Sequence, residues 1–381
     1  MSEIYPLQYN KGLIGKPGSI SELNTPALIL DLDILESNIL KMAQFAKEHH
    51  IYLRPHAKTH KSIKIAHKQL TEGALGVCCA TVGEASVMTE NGISGVLITS
   101  PIVTSQKIQE LMRLQSYGNS IIVTSDNNKN IRLLNDIVGE AGQKLDVIID
   151  IDVGLNRTGA SDIESSILLA KLVNSSKNLN FVGIQGYAGH LQHLKSYNER
   201  VELVKKDLEI LRKVRDTLTS IGLKPSIVTG GGTGTHFIDA NIDIFTELQV
   251  GSYSVMDVEY LEIEPEDIKW PYEPALTLLS SVVSSNQPGI ATIDAGLKVF
   301  ATDGPEPTII NGAPEDSKYQ FFGDEHGKII LGQTNSFLTP GDLIELIVPH
   351  CDPTINLHDY YYCVRGDTLV DIWNVDARGM H

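Results

Sequence analysis

A lysine stands between two histidines in Arg54-Pro55-His56-Ala57-Lys58-Thr59-His60-Lys61, directly after the short apolar run Ile51-Tyr52-Leu53. Solubilising lysines lie mostly on helix faces or in turns, so a strand end beside imidazoles is an unusual place for one. Lysine is also the side chain whose pKa falls readily on burial, which suits it to Schiff-base chemistry. Lys58 is therefore a candidate carbonyl-capturing amine. On these eight residues alone, a surface loop of mixed charge is the plainer reading.

Thr229-Gly230-Gly231-Gly232-Thr233-Gly234-Thr235 follows the apolar pair Ile227-Val228. Consecutive glycines let backbone N–H groups approach an anion closely. A loop at the end of a late barrel strand is where barrels commonly hold phosphate. The alternative is a flexible strand-to-helix connection. An amine that captures a carbonyl and a loop that takes phosphate together suit pyridoxal phosphate. Arg157, in the loop Asp150 to Gly159, could reach an anionic ring oxygen or simply brace its loop. Tyr187, His190 and His193 follow another strand end and are candidates for the same space.

Val348-Pro349-His350-Cys351-Asp352 offers an imidazole and a carboxylate. An extended chain would point His350 and Asp352 to one side and Cys351 to the other. That pair suits a divalent metal with positions left for water and substrate. His-x-Asp is short, and often accidental.

Apolar strands alternating with amphipathic helices must position these groups. Ala27 to Leu30, Ile51 to Leu53, Gly76 to Ala80, Val96 to Thr99, Ile121 to Val123, Leu145 to Ile151, Phe181 to Tyr187 and Ile227-Val228 read as strands, and Leu248 to Val250 as a ninth. Such alternation implies parallel pairing and favours a closed α/β barrel, a (β/α)8 TIM-like fold with one strand too many; a doubly wound open sheet is the alternative. Asp33 is expected to cap the first helix, with Glu36 as its capping-box partner. After about residue 270 the pattern turns to short strands separated by Gly, Pro and Asp, which predicts a C-terminal all-β domain. The expected division is 1–24 docking on the β domain, 25–268 the barrel, and 269–381 the β domain with the metal pair.

The chain has 381 residues and a net charge of −16, from 47 acidic and 31 basic side chains. Nucleic acid and anionic membranes both need basic surface, so neither is an expected partner. No apolar run is long enough to span a membrane, and no signal peptide is recognisable. Four cysteines in so long a chain point to a reducing compartment, hence the cytoplasm.

Taken together the pieces resemble the D-threonine aldolase and D-serine dehydratase-like family, pyridoxal phosphate enzymes with an alanine-racemase-type barrel and a C-terminal β domain. Pro55 to Lys61 resembles the cofactor-lysine motif. Gly154 to Gly159 resembles the segment whose arginine meets the cofactor's phenolic oxygen. Thr229 to Thr233 resembles the phosphate loop, with Gly251, Ser252 and Tyr253 near it in the fold. Asp294 to Lys298 and Asp324 to Gly327 resemble β-domain signatures. His350-x-Asp352 resembles the aldolases' metal pair, whereas the dehydratases present His-x-Cys; here the cysteine falls one place early.

The resemblance implies a homodimeric enzyme that cleaves a β-hydroxy-D-amino acid, of the D-threonine or 3-hydroxy-D-aspartate type, by retro-aldol reaction. Lys58 would carry the cofactor, held also by Arg157, Tyr187, Thr229, Gly231, Gly232, Thr233, Gly251, Ser252 and Tyr253. His193 would take the hydroxyl proton. His350 and Asp352 would bind magnesium or manganese, with zinc less suited to so hard a pair. The alternative in the same site is β-elimination by a D-serine or 3-hydroxyaspartate dehydratase. A racemase needs no metal pair, and a non-catalytic cofactor carrier needs no β domain.

Overall fold

The computed structural model describes residues 5–266, 269–332 and 337–380, so the expected boundary at residue 268 lies outside the described residues. Eight strands pair in parallel: Tyr52–Leu53, Cys78–Cys79, Val96–Ile98, Ile121–Ser125, Leu145–Asp150, Leu179–Gly186, Ile227–Gly230 and Glu247–Leu248. Each strand from Cys78–Cys79 onward pairs with the next, and Glu247–Leu248 pairs with Tyr52–Leu53. The seam between the first two strands closes through a bridge from His56 to Cys78. Parallel neighbours require crossover connections, and helices between the strands supply them.

Period-two alternation sorts the strand side chains. Val96, Ile98, Val123, Val147 and Ile149 pack outward on the helices. Cys78, Leu97, Ile122 and Ile148, with Val182 and Ile227 against them, form a separate cluster inside the ring. Two residues further along the same strands stand Thr99, Thr124, Asp150 and Thr229. The barrel is therefore apolar below and polar above, and the polar layer faces the C-terminal mouth. Truncating Leu97, fully buried in the apolar layer, would cost about 2–5 kcal/mol.

The surplus ninth strand is explained here. Ala27–Asp31 does not join the barrel. It pairs antiparallel with Leu276–Gln287 (Ala27 opposite Leu279) and parallel with Tyr360–Arg365 (Ile29 opposite Tyr362). It thus lies in the middle of a nine-stranded, mostly antiparallel sheet made otherwise of residues beyond 275. That sheet also holds Thr308–Asn311, which the sequence reading did not foresee. An apolar run states that a strand is buried and not which sheet buries it.

Helix Leu32–Glu48 then leads from this sheet into the barrel. Its cap is Asp31, which accepts from the backbone N–H groups of Asp33 and Ile34, and not the expected Asp33. Glu36 is no capping partner either; it pairs with Lys68 and Arg365. Leu35, Ile39 and Met42 of this helix share one buried cluster with Leu276, Leu278, Leu346 and Tyr361, so the two sheets are bound through common packing. At the start of the described chain, Gly15 donates to the Leu369 carbonyl and Leu369 to the Ser19 hydroxyl.

Candidate active site

Lys58 lies in a tight turn just beyond Tyr52–Leu53, and its backbone is fixed on both sides. Arg54 donates to the Leu248 carbonyl (3.0 Å) and His56 to that of Val250 (2.9 Å). The Arg54 guanidinium makes a bidentate, buried pair with Glu247 (2.8 and 3.0 Å). Beyond the turn, Lys61 is buried against Glu84 (2.8 Å), and the His60 carbonyl accepts from Tyr361. Lys61 is thus committed to an internal ion pair. The Lys58 side chain, 44 % accessible, opens into a cavity.

That cavity has a volume of about 290 Å³, and its walls include Lys58, His56, Arg157, Tyr187, Gly232 and Ser252. Gln185, Gln249, Gly251, Thr59, Thr99 and Thr158 line it too. Its floor is a chain of neutral amides. Gln249 donates to Gln185 Oε1 (3.0 Å) and Thr229 Oγ1 (3.1 Å), and Gln185 donates to Asp150 Oδ1 (2.9 Å). Burial pushes Asp150 up to about 6. The Arg157 guanidinium sits 5.7 Å from the Tyr187 ring centroid at one wall.

The predicted phosphate-binding residues divide. Gly232, Gly251 and Ser252 line the cavity. Thr229 lies below it, bonded to Gln249, and the Thr233 hydroxyl accepts from the Tyr253 backbone N–H (3.0 Å). Tyr253 turns inward, its hydroxyl accepting from Gln69 (3.2 Å). Gly231 has φ +71°, and a Cβ there would lie 2.5 Å from Asp239 Oδ2. Under the loop, burial pushes Asp239 up to about 7 while the Thr235 hydroxyl donates to it (2.5 Å).

The second sheet meets the barrel at Lys58. His350 is extended (φ −137°, ψ 121°), but Asp352 lies in the first turn of a helix, Cys351–Asn356. The strand alternation expected across 350–352 therefore does not apply. The Asp352 carboxylate nonetheless reaches the site, where the Lys58 ammonium donates to it. Burial alone would raise Asp352, but Lys58 and His350 outweigh it and hold the carboxyl well below its usual range. Burial would likewise lower Lys58, yet Asp352 and Tyr187 reverse this and push the amine upward. The lowered lysine pKa expected from burial alone is corrected by that pairing.

His193, at the far end of the loop after Leu179–Gly186, stacks obliquely on Tyr260 with ring centroids 4.6 Å apart. Burial, with the nearby His350, pushes it down to about 4, so it is a neutral imidazole at pH 7. Its Nδ1 lies 3.6 Å from Glu259 Oε1, and His350 Nδ1 lies 3.0 Å from Asp303 Oδ2. His190 instead pairs with Asp207 (2.9 Å). Glu259, Asp303 and the amide floor escaped the sequence reading. Each is a single polar residue with no motif, and only tertiary packing brings it here.

Comparison with known proteins agrees with this architecture. Residues 30–258 match the alanine racemase N-terminal domain, and residues 275–364 match a putative serine dehydratase domain. The chain is 38 % identical to the 3-hydroxy-D-aspartate aldolase of Paracoccus denitrificans over 94 % of its own length and 93 % of the relative's. It is 36 % identical to the D-threonine aldolase of an Arthrobacter species, covering 96 % and 95 %. The crystal structure of D-threonine aldolase from Filomicrobium marinum superposes with a TM-score of 0.90 at 36 % identity, over 94 % of this chain and 96 % of that one.

Proposed function

Since the chain belongs to the alanine racemase-like family of pyridoxal phosphate enzymes, we propose that it is a carbon–carbon lyase that cleaves a β-hydroxy-D-amino acid to glycine and an aldehyde, or glyoxylate. The observation that carries this reading is the meeting of Lys58, from the barrel, with Asp352, from the second sheet, beside the cavity that Lys58 lines, with the His193 imidazole close enough to sense both charges. The relatives named aldolases match over nearly the whole chain, so the likeness spans both the barrel and the second sheet.

The residues present fit the cofactor. A cavity with a lone amine and side-chain-free walls at Gly232 and Gly251 would admit a flat ring with a phosphate; a Cβ at 251 would close to 2.4 Å from Thr59 Oγ1. When bound, pyridoxal phosphate withdraws electrons from the Cα bonds of its amino acid. Lys58 would hold it covalently, and Gly232, Gly251 and Ser252 would hold its phosphate, with Gly231 and Thr233 shaping the loop. Thr229 and Tyr253 would support the wall, and Arg157 and Tyr187 would flank the ring.

His350 and Asp352 would hold a divalent cation, one neutral and one anionic ligand that suit magnesium or manganese. Two protein ligands would leave positions for water and substrate. Such an ion lowers the pKa of a bound hydroxyl. Neutral His193 would accept the β-hydroxyl proton. The match to a serine dehydratase domain supports a second reading, β-elimination to a keto acid and ammonia, in which a base takes the Cα proton instead.

We also place the protein in the cytoplasm as a homodimer. Its four cysteines are free and buried, as a reducing compartment allows. Light scattering would test the dimer. The reaction itself is tested by incubating the cofactor-loaded protein with D-threonine, D-serine and both 3-hydroxy-D-aspartates. Glycine is the expected product; pyruvate or oxaloacetate with ammonia would replace lyase cleavage by elimination.

A further inference from the structure

Glu259 stands between two imidazoles. Its Oε1 lies 3.6 Å from His193 Nδ1, and its Oε2 lies 3.8 Å from His350 Nδ1. Both distances exceed a hydrogen bond, but His193 Nδ1 and Glu259 Oε2 are shielded from solvent and have no other partner. A buried polar atom left unpaired is costly, so the closed pairing is favoured over the gap.

The backbone around Glu259 is built to hold it there. Asp257 accepts from Tyr260 N–H (3.0 Å) through one carboxylate oxygen and from Cys351 N–H (2.8 Å) through the other. Glu259 N–H donates to the Pro349 carbonyl (3.2 Å). The short helix Val258–Leu261 is thereby bolted to the segment that carries His350.

We propose that Glu259 is a positioning residue that fixes the tautomers of both histidines. An ionised carboxylate accepts and cannot donate, so both imidazoles must turn an Nδ1–H toward it. Asp303, 3.0 Å from His350 Nδ1, makes the same demand on that ring. Each Nε2 then keeps its lone pair. For His193 that lone pair takes the proton from the substrate hydroxyl. The O–H electrons become the aldehyde C=O bond as Cα–Cβ breaks, and the pair left on the glycine Cα takes up a proton in exchange. For His350 it is the pair that ligates the cation, the usual arrangement in which a carboxylate orients a metal-bound imidazole. This inference rests on the reaction proposed above but predicts a ring tautomer that can be read without it.

The test is Glu259→Gln, which keeps shape but offers one acceptor and one donor, so it can serve one ring only by misdirecting the other. In protein labelled with ¹⁵N-histidine, long-range spectra should show His193 and His350 protonated on Nδ1, and the variant should convert at least one of them to the Nε2–H form. With the loaded enzyme, kcat should fall about 10- to 100-fold while KM changes little, and Mn²⁺ binding by calorimetry should weaken by about tenfold or more. Glu259→Asp, which restores two acceptors, should recover part of kcat. Added to His193→Ala, Glu259→Gln should cost far less than it costs alone. Nε2–H tautomers in the wild-type protein, or unchanged tautomers and kcat in Glu259→Gln, would overturn the proposal. If the wild-type protein cleaves no β-hydroxy amino acid, the reaction reading falls and the tautomer spectra still decide the role of Glu259.

Discussion

Lys58 and Asp352 stand 294 positions apart in the chain, and the ammonium of one donates to the carboxylate of the other. The contact joins the barrel to the second sheet at the point where chemistry is proposed. It also sets an order of events. Held by Asp352, Lys58 stays protonated, and a protonated amine attacks no carbonyl. Lys58 would have to leave Asp352 before it could hold the proposed cofactor, which would free Asp352 for the proposed cation.

The first prediction follows. Lys58→Ala should abolish covalent retention of pyridoxal phosphate and lower turnover by at least about a thousandfold. Borohydride reduction and peptide mapping of the wild-type protein should find the label on Lys58. Label on Lys61, which is buried against Glu84, would refute the assignment.

A second prediction concerns the phosphate loop. Gly231→Leu is a poor probe of cofactor binding, because φ +71° and the Asp239 carboxylate leave no room for a side chain. That variant should destabilise the barrel as a whole. Ser252 lines the cavity directly, so Ser252→Ala should weaken pyridoxal phosphate binding about 10- to 100-fold, the worth of one hydrogen bond to a charged group, with an unchanged melting temperature. Unchanged affinity would move the phosphate elsewhere.

These residues also show how far sequence alone reaches. Lys58 and the glycine loop could be singled out because a few adjacent residue types mark them, and Lys58 and Gly232 do line one cavity. Ala27–Asp31 was misplaced because both sheets need buried apolar strands, and only its partners, Leu276–Gln287 and Tyr360–Arg365, distinguish them. The alternation that an extended chain would give across 350–352 fails at Asp352, which stands in the first turn of a helix where Pro353 is tolerated. Glu259 carries no local signal at all.

The third prediction is a pH dependence of stability. Asp239 is raised from 3.8 to about 7 in the folded protein, mainly by burial. Below about pH 4 the carboxyl is protonated folded or unfolded. Between about 4 and 7 only the unfolded chain has lost the proton, so the folded state binds more and stability falls as pH rises. Above about 7 the full cost applies, on the order of 4 kcal/mol. Asp239→Asn should remove this component, so the variant should gain stability over wild type at pH 8 and show little gain at pH 4, by chemical denaturation. Equal gains at both values would contradict the assignment, with Asp150, raised to about 6, left unaltered as the common background.

The last prediction separates aldol cleavage from elimination. Either reaction uses a cation at the β-hydroxyl, so metal dependence alone cannot divide them. The fate of the Cα proton can. Aldol cleavage leaves the Cα–H bond intact while Cα–Cβ breaks, whereas elimination must break Cα–H. Asp352→Ala removes the carboxylate that both holds Lys58 and would ligate the cation, so turnover should be lost in either case. The freed amine, no longer held upward by Asp352, should still bind pyridoxal phosphate, and should capture it faster at pH 7 than wild type does. With wild-type protein, α-deuterated substrate should show no primary isotope effect, and the two-carbon amino acid should appear in step with the aldehyde. A large α-deuterium effect together with ammonia release would establish elimination, and would turn the proton acceptor from the β-hydroxyl toward Cα.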